Sequence, residues 1–571
     1  MTDDGIFVKT LFRKQAVYNM LALCVSTIAP LVCLLIAGYY FGSEGLAIVA
    51  LCAPLFLAAS FFGFTISGGA QILCAEFIAK DEYDKVNRVF SASVTLSVII
   101  GIAVFSLLFL FRAQILEFIA PTLTADMTAY YNYFLLYSLL SLFAYIPLFF
   151  SRTVGRMEIG LIMTGILTVI GIVSGMILTR FMGVEAIALG QAIGIATALP
   201  IAIFMLRKHF RFIFPRELYI KKIFALGSPL GFKRLYVLLS TVALNSLFLF
   251  IGGSFAIAVF GVVATINRFI QACASGIAQT LPPLVGVFHQ EQDITSIRQT
   301  LKQAFFMGNS VIVVIGLVLI VFSTQIARLF GLGDDALTAV MPLYATYSVL
   351  LMNGMILASY YNSIKNLGYA HIIPFFQEFL FIFAGAVLLS AHFGTNGIWA
   401  AFPISGALTL LVLFLLLAIA KRKNPEYTFI MQQNRHIEND GKHISFSVDN
   451  ELISASEAAE KISIFCEEHE VSPKDTMLIS LSVEEIITLI ANHCRSKHFS
   501  VSVRILLVGG KVVLRFRNTG EKFDVYDYYI NHIADDIEKS MEVVGMKYIV
   551  QAAKSVYYRE TFGVNSLVVV I

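Results

Sequence analysis

Up to about residue 420 the apolar residues of this chain come in long runs, with neither the helical nor the alternating spacing of a half-buried element. Each run is about 20 residues or longer, enough to cross about 30 Å of hydrocarbon as a helix. A helix satisfies its own backbone polar groups, as a membrane interior requires. The breaks predict twelve spans, near 16–41, 46–79, 89–111, 129–151, 160–180, 185–206, 224–251, 255–287, 303–326, 341–364, 370–392 and 396–420. Small or polar breaks such as Phe41-Gly42-Ser43-Glu44-Gly45 and Gly331-Leu332-Gly333-Asp334-Asp335 mark turns. After Lys423 the pattern changes. Asn424–Lys442 reads as a polar linker, and His443–Val448 alternates like a strand. Ser454–Glu468 and Ser472–His493 have helical spacing, Phe499–Val508 and Lys511–Arg517 predict a hairpin around Gly509-Gly510, and Glu538–Ala553 predicts a third helix. Ser555–Arg559 and Ser566–Ile571 close as strands.

The predicted fold is therefore an all-α polytopic membrane protein of two six-helix repeats, followed by an α+β sandwich with helices on one face of a mixed sheet. The divisions fall at 1–206 (first lobe), 207–423 (basic link and second lobe), 424–442 (linker) and 443–571 (tail). Composition agrees: 58% of the 571 residues are hydrophobic and only 14% charged, against about 25% charged in soluble domains.

Charge is divided unevenly. Residues 1–423 carry 26 Lys/Arg and 17 Asp/Glu, and residues 424–571 carry 15 and 21. Cytoplasmic loops retain Lys and Arg. With the N-terminus inside, the inner loops hold 22 of these basic residues, among them Lys80, Arg152, Arg156, Lys365 and the group Arg207–Arg234, and the outer loops only Arg112, Arg180 and Arg328. This predicts a multi-pass protein of the cell membrane with both termini cytoplasmic. No basic stripe interleaved with aromatics points to nucleic acid. The seven cysteines, without a Cys-x-x-Cys, suggest neither a disulfide framework nor zinc, and no cleavable leader is read at the N-terminus.

The halves repeat at an offset of about 208–211 residues. Gly68-Gly69-Ala70-Gln71 recurs as Gly276-Ile277-Ala278-Gln279, and Phe181–Ile187 recurs as His392–Ile398. Duplicated lobes with a central site describe many secondary transporters. On Gly38-x-x-x-Gly42-x-x-x-Leu46-Ala47, the two Gly-x-Ala-Gln segments, Pro282-Pro283-Leu284 and Asn396–Pro403, residues 10–420 resemble the multidrug and toxic compound extrusion (MATE) transporters, whose superfamily also holds polysaccharide and lipid flippases. That resemblance implies export of small organic, cationic or amphipathic molecules by alternating access, driven by H⁺ or Na⁺, with no catalysis. The first-helix Asp common in the family corresponds here to Cys33.

Ion coupling needs an ionisable group within the bilayer. Glu378 and Arg268 stand inside spans at similar depths and are read either as a proton or substrate site or as a structural ion pair. Gln71, Gln279, Asn245 and Asn353 are candidates to line a polar cavity or to join helices by hydrogen bonds. In the tail, Glu485 with His493, Asn518-x-Gly520-x-x-x-Asp524, Gly545 and Gly563-x-Asn565-x-Leu567 resemble the histidine-kinase-type ATP-binding fold, closest to its anti-sigma-factor branch. The resemblance implies ATP or ADP on Glu485, His493, Asn518, Gly520, Asp524, Gly545 and Asn565. With Leu489 where that family carries its metal-binding Asn, the tail reads as a non-hydrolysing nucleotide sensor or a module that binds a regulatory protein. Two alternatives to export stay open: a flippase for a lipid-linked precursor, or a receptor signalling through the tail.

Overall fold

The computed structural model describes residues 5–80, 82–119, 125–214, 217–330, 332–425, 427–432, 442–449, 452–493, 500–508, 511–532, 544–561 and 564–571. The apolar runs are helical: α1 (Gly5–Ala79), α2 (Tyr83–Leu110), α3 (Arg112–Ile119), α4 (Ala125–Thr153), α5 (Met157–Leu178), α6 (Glu185–Leu206), α7 (Ile220–Ala278) and α8 (Leu281–Gln290). They continue as α9 (Ile294–Val321), α10 (Ser323–Leu329), α11 (Val340–Ser363), α12 (Leu367–Phe375), a π-helical turn (Phe376–Leu380) and α13 (Phe381–Lys423). Eleven helices among the described residues are long and apolar enough to cross a membrane, the last running 57 residues from Leu367 to Lys423.

The longest helices are bent pairs. Gly42, Gly253 and Gly394 interrupt α1, α7 and α13 with φ of 63°, 64° and 56° and ψ of −151°, −158° and −138°. That region of backbone space is essentially confined to glycine. Gly42 and Gly253 are 211 residues apart, so the repeat read from sequence reappears as a repeated backbone bend.

Two compact units form. One comprises Gln15–Glu291 and Leu301–Leu416; the other comprises Met1–Lys14, Gln292–Thr300 and Leu417–Ile571. Within the helical unit, the lobes meet through glycines that let backbone touch backbone. A Cβ on Gly69 would lie 1.9 Å from the Ile223 carbonyl oxygen, and one on Gly227 would lie 1.8 Å from that of Thr65. Asn19 donates to the Gly276 carbonyl at 2.6 Å, and Glu76 pairs with Lys80 at 2.6 Å and with Lys365. These contacts close the lobes at the end where α1 begins.

The tail in the second unit is a five-stranded sheet of β1 (Lys442–Asp449), β2 (Ser500–Val508), β3 (Lys511–Asn518), β4 (Ser555–Thr561) and β5 (Val564–Val570), in the order β1-β2-β3-β5-β4. Sequence pattern predicts a mixed sheet, but every neighbouring pair is antiparallel. The β1-to-β2 connection runs through a pair of helices, which returns the chain to the end it left. Val501, Val503, Ile505, Leu514, Phe516, Leu567 and Val569 alternate onto one face and form a core with α14 (Leu452–Glu468) and α15 (Pro473–His493). A short helix, α16 (Val525–His532), is absent from the sequence reading; the third helix expected at Glu538–Ala553 is described as α17 (Val544–Ala552), and 538–543 lie outside the described residues. The Gly509-Gly510 turn also lies outside them.

Candidate functional site

The second lobe holds a cavity of about 60 Å³. Glu378 lies in its wall. Pro374, without an N–H, breaks the helical ladder just before it, and the chain widens into the π turn Phe376–Leu380. Such turns recur at functional sites. The turn aims Glu378 inward at 5% exposure.

Its partner differs from the one expected. Glu378 Oε1 lies 3.3 Å from Lys233 Nζ, its Oε2 accepts from Gln271 Nε2 at 3.4 Å, and its backbone carbonyl accepts from Ser240. Arg268 is instead exposed on its helix and does not line the cavity; similar depth did not place it on the same helical face. Lys233 and Arg234, assigned by sequence to the inner basic group, lie inside α7 and line the cavity. The Arg234 guanidinium sits 3.9 Å from the Phe64 ring centroid, a cation–π contact.

Gln279 does line the cavity, where its Oε1 accepts from Arg152 Nη1 at 2.5 Å. Arg152 is 1% exposed, and its Nε and Nη2 have no hydrogen-bond partner among the described residues. Gln71 is buried away from the cavity, and Asn245 is exposed on its helix. Asn353 exchanges hydrogen bonds with Asn309 at 3.1 Å, joining two helices. Sequence reasoning missed Lys233, Arg234, Arg152 and Gln271. Their signal was present in the basic pair at 233–234, which falls inside the run 224–251.

In the tail, the candidate nucleotide residues are committed to one another. Asn565 Nδ2 donates to Asn518 Oδ1 at 2.9 Å and to the Gly520 and Glu521 carbonyls, and Tyr558 donates to Asn565 Oδ1 at 2.6 Å. Asp524 caps α16 by accepting from the Tyr526 and Asp527 amides at 3.0 Å. The His493 ring stacks on Phe523 at 4.6 Å. A Cβ on Gly545 would lie 2.2 Å from Glu485 Cδ, so the two are packed together. Burial, then Glu484, raises the Glu485 carboxyl. With Leu489 buried in the core at the metal position, this set does not fit ATP or ADP.

The other face of the sheet carries arginines. Arg504 and Arg515 are cross-strand partners, and Arg517 follows on β3. Arg517 donates to Asp293 Oδ2 at 2.7 Å, Arg504 pairs with Asp293 Oδ1, and Arg504 also donates to the Gln292 carbonyl at 3.4 Å. Asp293 is the N-cap of α9, accepting from the Ser296 amide at 3.0 Å and hydroxyl at 2.9 Å. Burial opposes its charge, yet Arg504 and Arg517 outweigh this and hold the carboxyl below the ordinary carboxylate range. Burial, then Arg517, pushes Arg515 down to about 9.

Comparison with known proteins matches the MatE family model at residues 19–177 and 229–376, one segment in each repeat. The multidrug export protein MepA of Staphylococcus haemolyticus is 23% identical over 380 residues, covering 62% of this chain and 82% of that protein. The probable multidrug resistance protein YoeA of Bacillus subtilis is 24% identical over 424 residues, covering 69% and 90%. Among solved structures, an outward-facing multidrug resistance MATE family transporter of the MOP superfamily aligns with a TM-score of 0.67 at 18% identity, covering 74% of this chain and 98% of that one. A MOP superfamily transporter from Pyrococcus furiosus Vc1 aligns with a TM-score of 0.67 at 18% identity, covering 74% and 100%.

Proposed function

The chain belongs to the MatE family, and on that premise we propose that it exports small amphipathic organic compounds by alternating access of its two lobes, driven by an H⁺ or Na⁺ gradient. The observation that carries the reading is a buried carboxylate, Glu378, held by Lys233 and Gln271 in the wall of the second-lobe cavity, which Phe64 of the first lobe also lines. A proton or Na⁺ arriving there would compete with Lys233 for the carboxylate and so couple ion entry to the arrangement of the wall. The relatives MepA, a multidrug export protein, and YoeA, a probable multidrug resistance protein, support export of several compounds. Of the cationic and amphipathic chemistries that the family resemblance implies, the wall supports the amphipathic one, since Lys233 and Arg234 oppose a cation.

Twelve crossings are part of the proposal. At about 1.5 Å per residue, a 57-residue helix is about 86 Å long, far more than one bilayer, and Gly394 divides it. With twelve crossings, the basic loops put both termini in the cytoplasm of a cell whose plasma membrane holds the protein. The tail then acts as a regulatory element, because its arginine face holds the capping residue of α9. The test is efflux of fluorescent organic dyes from cells expressing the full chain, with and without an ionophore. Ionophore-sensitive efflux that falls at least about 100-fold in Glu378→Gln supports the reading. A Glu378→Gln protein that effluxes at the wild-type rate refutes the coupling role, and no efflux across a dye panel turns the reading toward a flippase or receptor.

A further inference from the structure

We propose that the cavity takes an anion, an organic body carrying a carboxylate, sulfonate or phosphate head, with Arg234 and Lys233 as its charge partners. The inference names the substrate chemistry of the site proposed above and rests on that reading for calling the anion a substrate. It begins with a count of charge. Lys233, Arg234 and Glu378 are the charged side chains of the wall, two positive and one negative. Both carboxylate oxygens of Glu378 are already engaged, one by Lys233 at 3.3 Å and the other by Gln271 at 3.4 Å. A cationic ligand would have to displace an internal cation to reach Glu378, the wall's one carboxylate among the described residues, and would enter a site that is already net positive.

Arg234 is the group left over. Its guanidinium lies against Phe64 and makes no hydrogen bond or ion pair among the described residues. A planar guanidinium stacked by one face keeps its N–H fork free at the edge, the geometry that grips a carboxylate or phosphate in two-point fashion. Behind the wall, Arg152 adds a third positive charge through Gln279, with its Nε and Nη2 unpartnered among the described residues. Asn362, 2% exposed in the wall, likewise has both amide atoms without a hydrogen-bond partner among the described residues. Buried polar and charged groups are ordinarily paired. Glu378 Oε1, ion-paired with Lys233, also makes no hydrogen bond among the described residues, but the other unpaired groups in and behind this wall, on Arg234, Arg152 and Asn362, are mainly donors, so the missing partner is an acceptor carrying negative charge. Apolar wall residues such as Phe64, Leu230 and Met355 suit an apolar body attached to that head.

The experiment uses the purified full chain in detergent and three fluorescent probes of one scaffold: a carboxylate dye, its neutral methyl ester and a cationic analogue. Binding is read by anisotropy. The anion should bind at least about 10-fold more tightly than either other probe. Arg234→Gln should weaken it by about 10- to 100-fold, the range for a lost charged hydrogen bond, while leaving the ester unchanged, and Arg234→Lys should restore part of the loss. Glu378→Gln, which removes the one negative charge, should tighten the anion several-fold. Equal or tighter binding of the cation by the wild-type chain overturns the proposal without need of any variant. Competition identifies the source of the head group: displacement by a soluble aryl sulfonate points to a free organic anion, displacement by short-chain phosphatidylglycerol points to a lipid, and displacement by neither overturns the site. In vesicles the two readings separate. Gradient-dependent efflux with cation-preferring binding sinks the anion site and leaves export standing; anion-selective binding with no efflux of any probe does the reverse.

Discussion

Asp293 is the residue whose loss the structure prices most directly. It is 1% exposed, caps α9 through Ser296, and meets Arg504 and Arg517 from two strands. Asp293→Asn keeps a good capping side chain but takes from Arg504 and Arg517, buried beside Arg515, the carboxylate that both pair with. Removing one partner of a buried ion pair costs about 3–5 kcal/mol, which is about 10²- to 10³-fold or more in a local opening equilibrium at 1.36 kcal/mol per tenfold. Asp293→Ala should cost about 1 kcal/mol more, the worth of the cap. The assay is hydrogen exchange on the full chain in detergent, reading the amides of 294–300 and of β2 and β3. Both sets should lose protection together, because one carboxylate serves both. The pH dependence follows in sign. A carboxyl depressed in the folded chain stabilises it above its unfolded value of about 3.9, and that contribution fades as pH falls toward the folded value. The gap between wild type and Asp293→Asn should therefore be constant from pH 5 to 8 and narrow only in acid. A change in exchange below about 3-fold at neutral pH, or loss confined to one of the two segments, would falsify the reasoning.

Other perturbations test other parts of the structure. Gly227→Val places a side chain where even a Cβ would collide with the Thr65 carbonyl, so the lobes should fail to close and dye transport should fall at least about 10-fold with expression retained. Cys24 and Cys273 sit on different lobes with sulfurs 3.4 Å apart; a mild thiol oxidant should crosslink them in the wild-type chain, and the yield should drop in Gly227→Val. An uncrosslinked wild type would argue that the closed arrangement is not the resting one. Asn565→Ala removes the amide that ties Asn518 to the 520–521 carbonyls and should destabilise the tail by about 1–3 kcal/mol, measured by thermal unfolding. An unchanged melting temperature would mean that the loop is held by other contacts.

Much of the architecture was legible because bilayer-length runs and strand alternation are one-dimensional signals. The tail strands fall within a few residues of their expected ends, since inward positions such as Val503, Ile505, Leu514 and Phe516 alternate without interruption. Glu378 was legible for a related reason: a carboxylate in an apolar run stands out. Its partner did not. Depth along a helix is countable, but the facing direction depends on crossing angles and on the π turn after Pro374, neither of which is written locally. Lys233 and Arg234 were read as cytoplasmic because charge near a span end normally is, and Arg152 for the same reason; only the packing of α4 and α7 shows these groups drawn inward. The nucleotide candidates illustrate the opposite hazard. Asn518, Asp524 and Asn565 match a recognisable pattern, yet their hydrogen bonds close on one another. The Asp293 cluster was invisible for want of any local sign, because its partners Arg504 and Arg517 lie 211 and 224 positions along the chain.

That separation bears on how the protein is made. At about 5–20 residues per second on the ribosome, Arg517 is synthesised roughly 10–45 s after Asp293. The ninth apolar run thus emerges, and meets the insertion machinery, while its leading carboxylate is still solvated and held only by Ser296. The arginines arrive last and cover it. Maturation therefore has an inherent two-stage order, bilayer insertion first and sheet docking second, and the interval between them is a window in which an incomplete chain would display a bare acidic helix start for quality control to find.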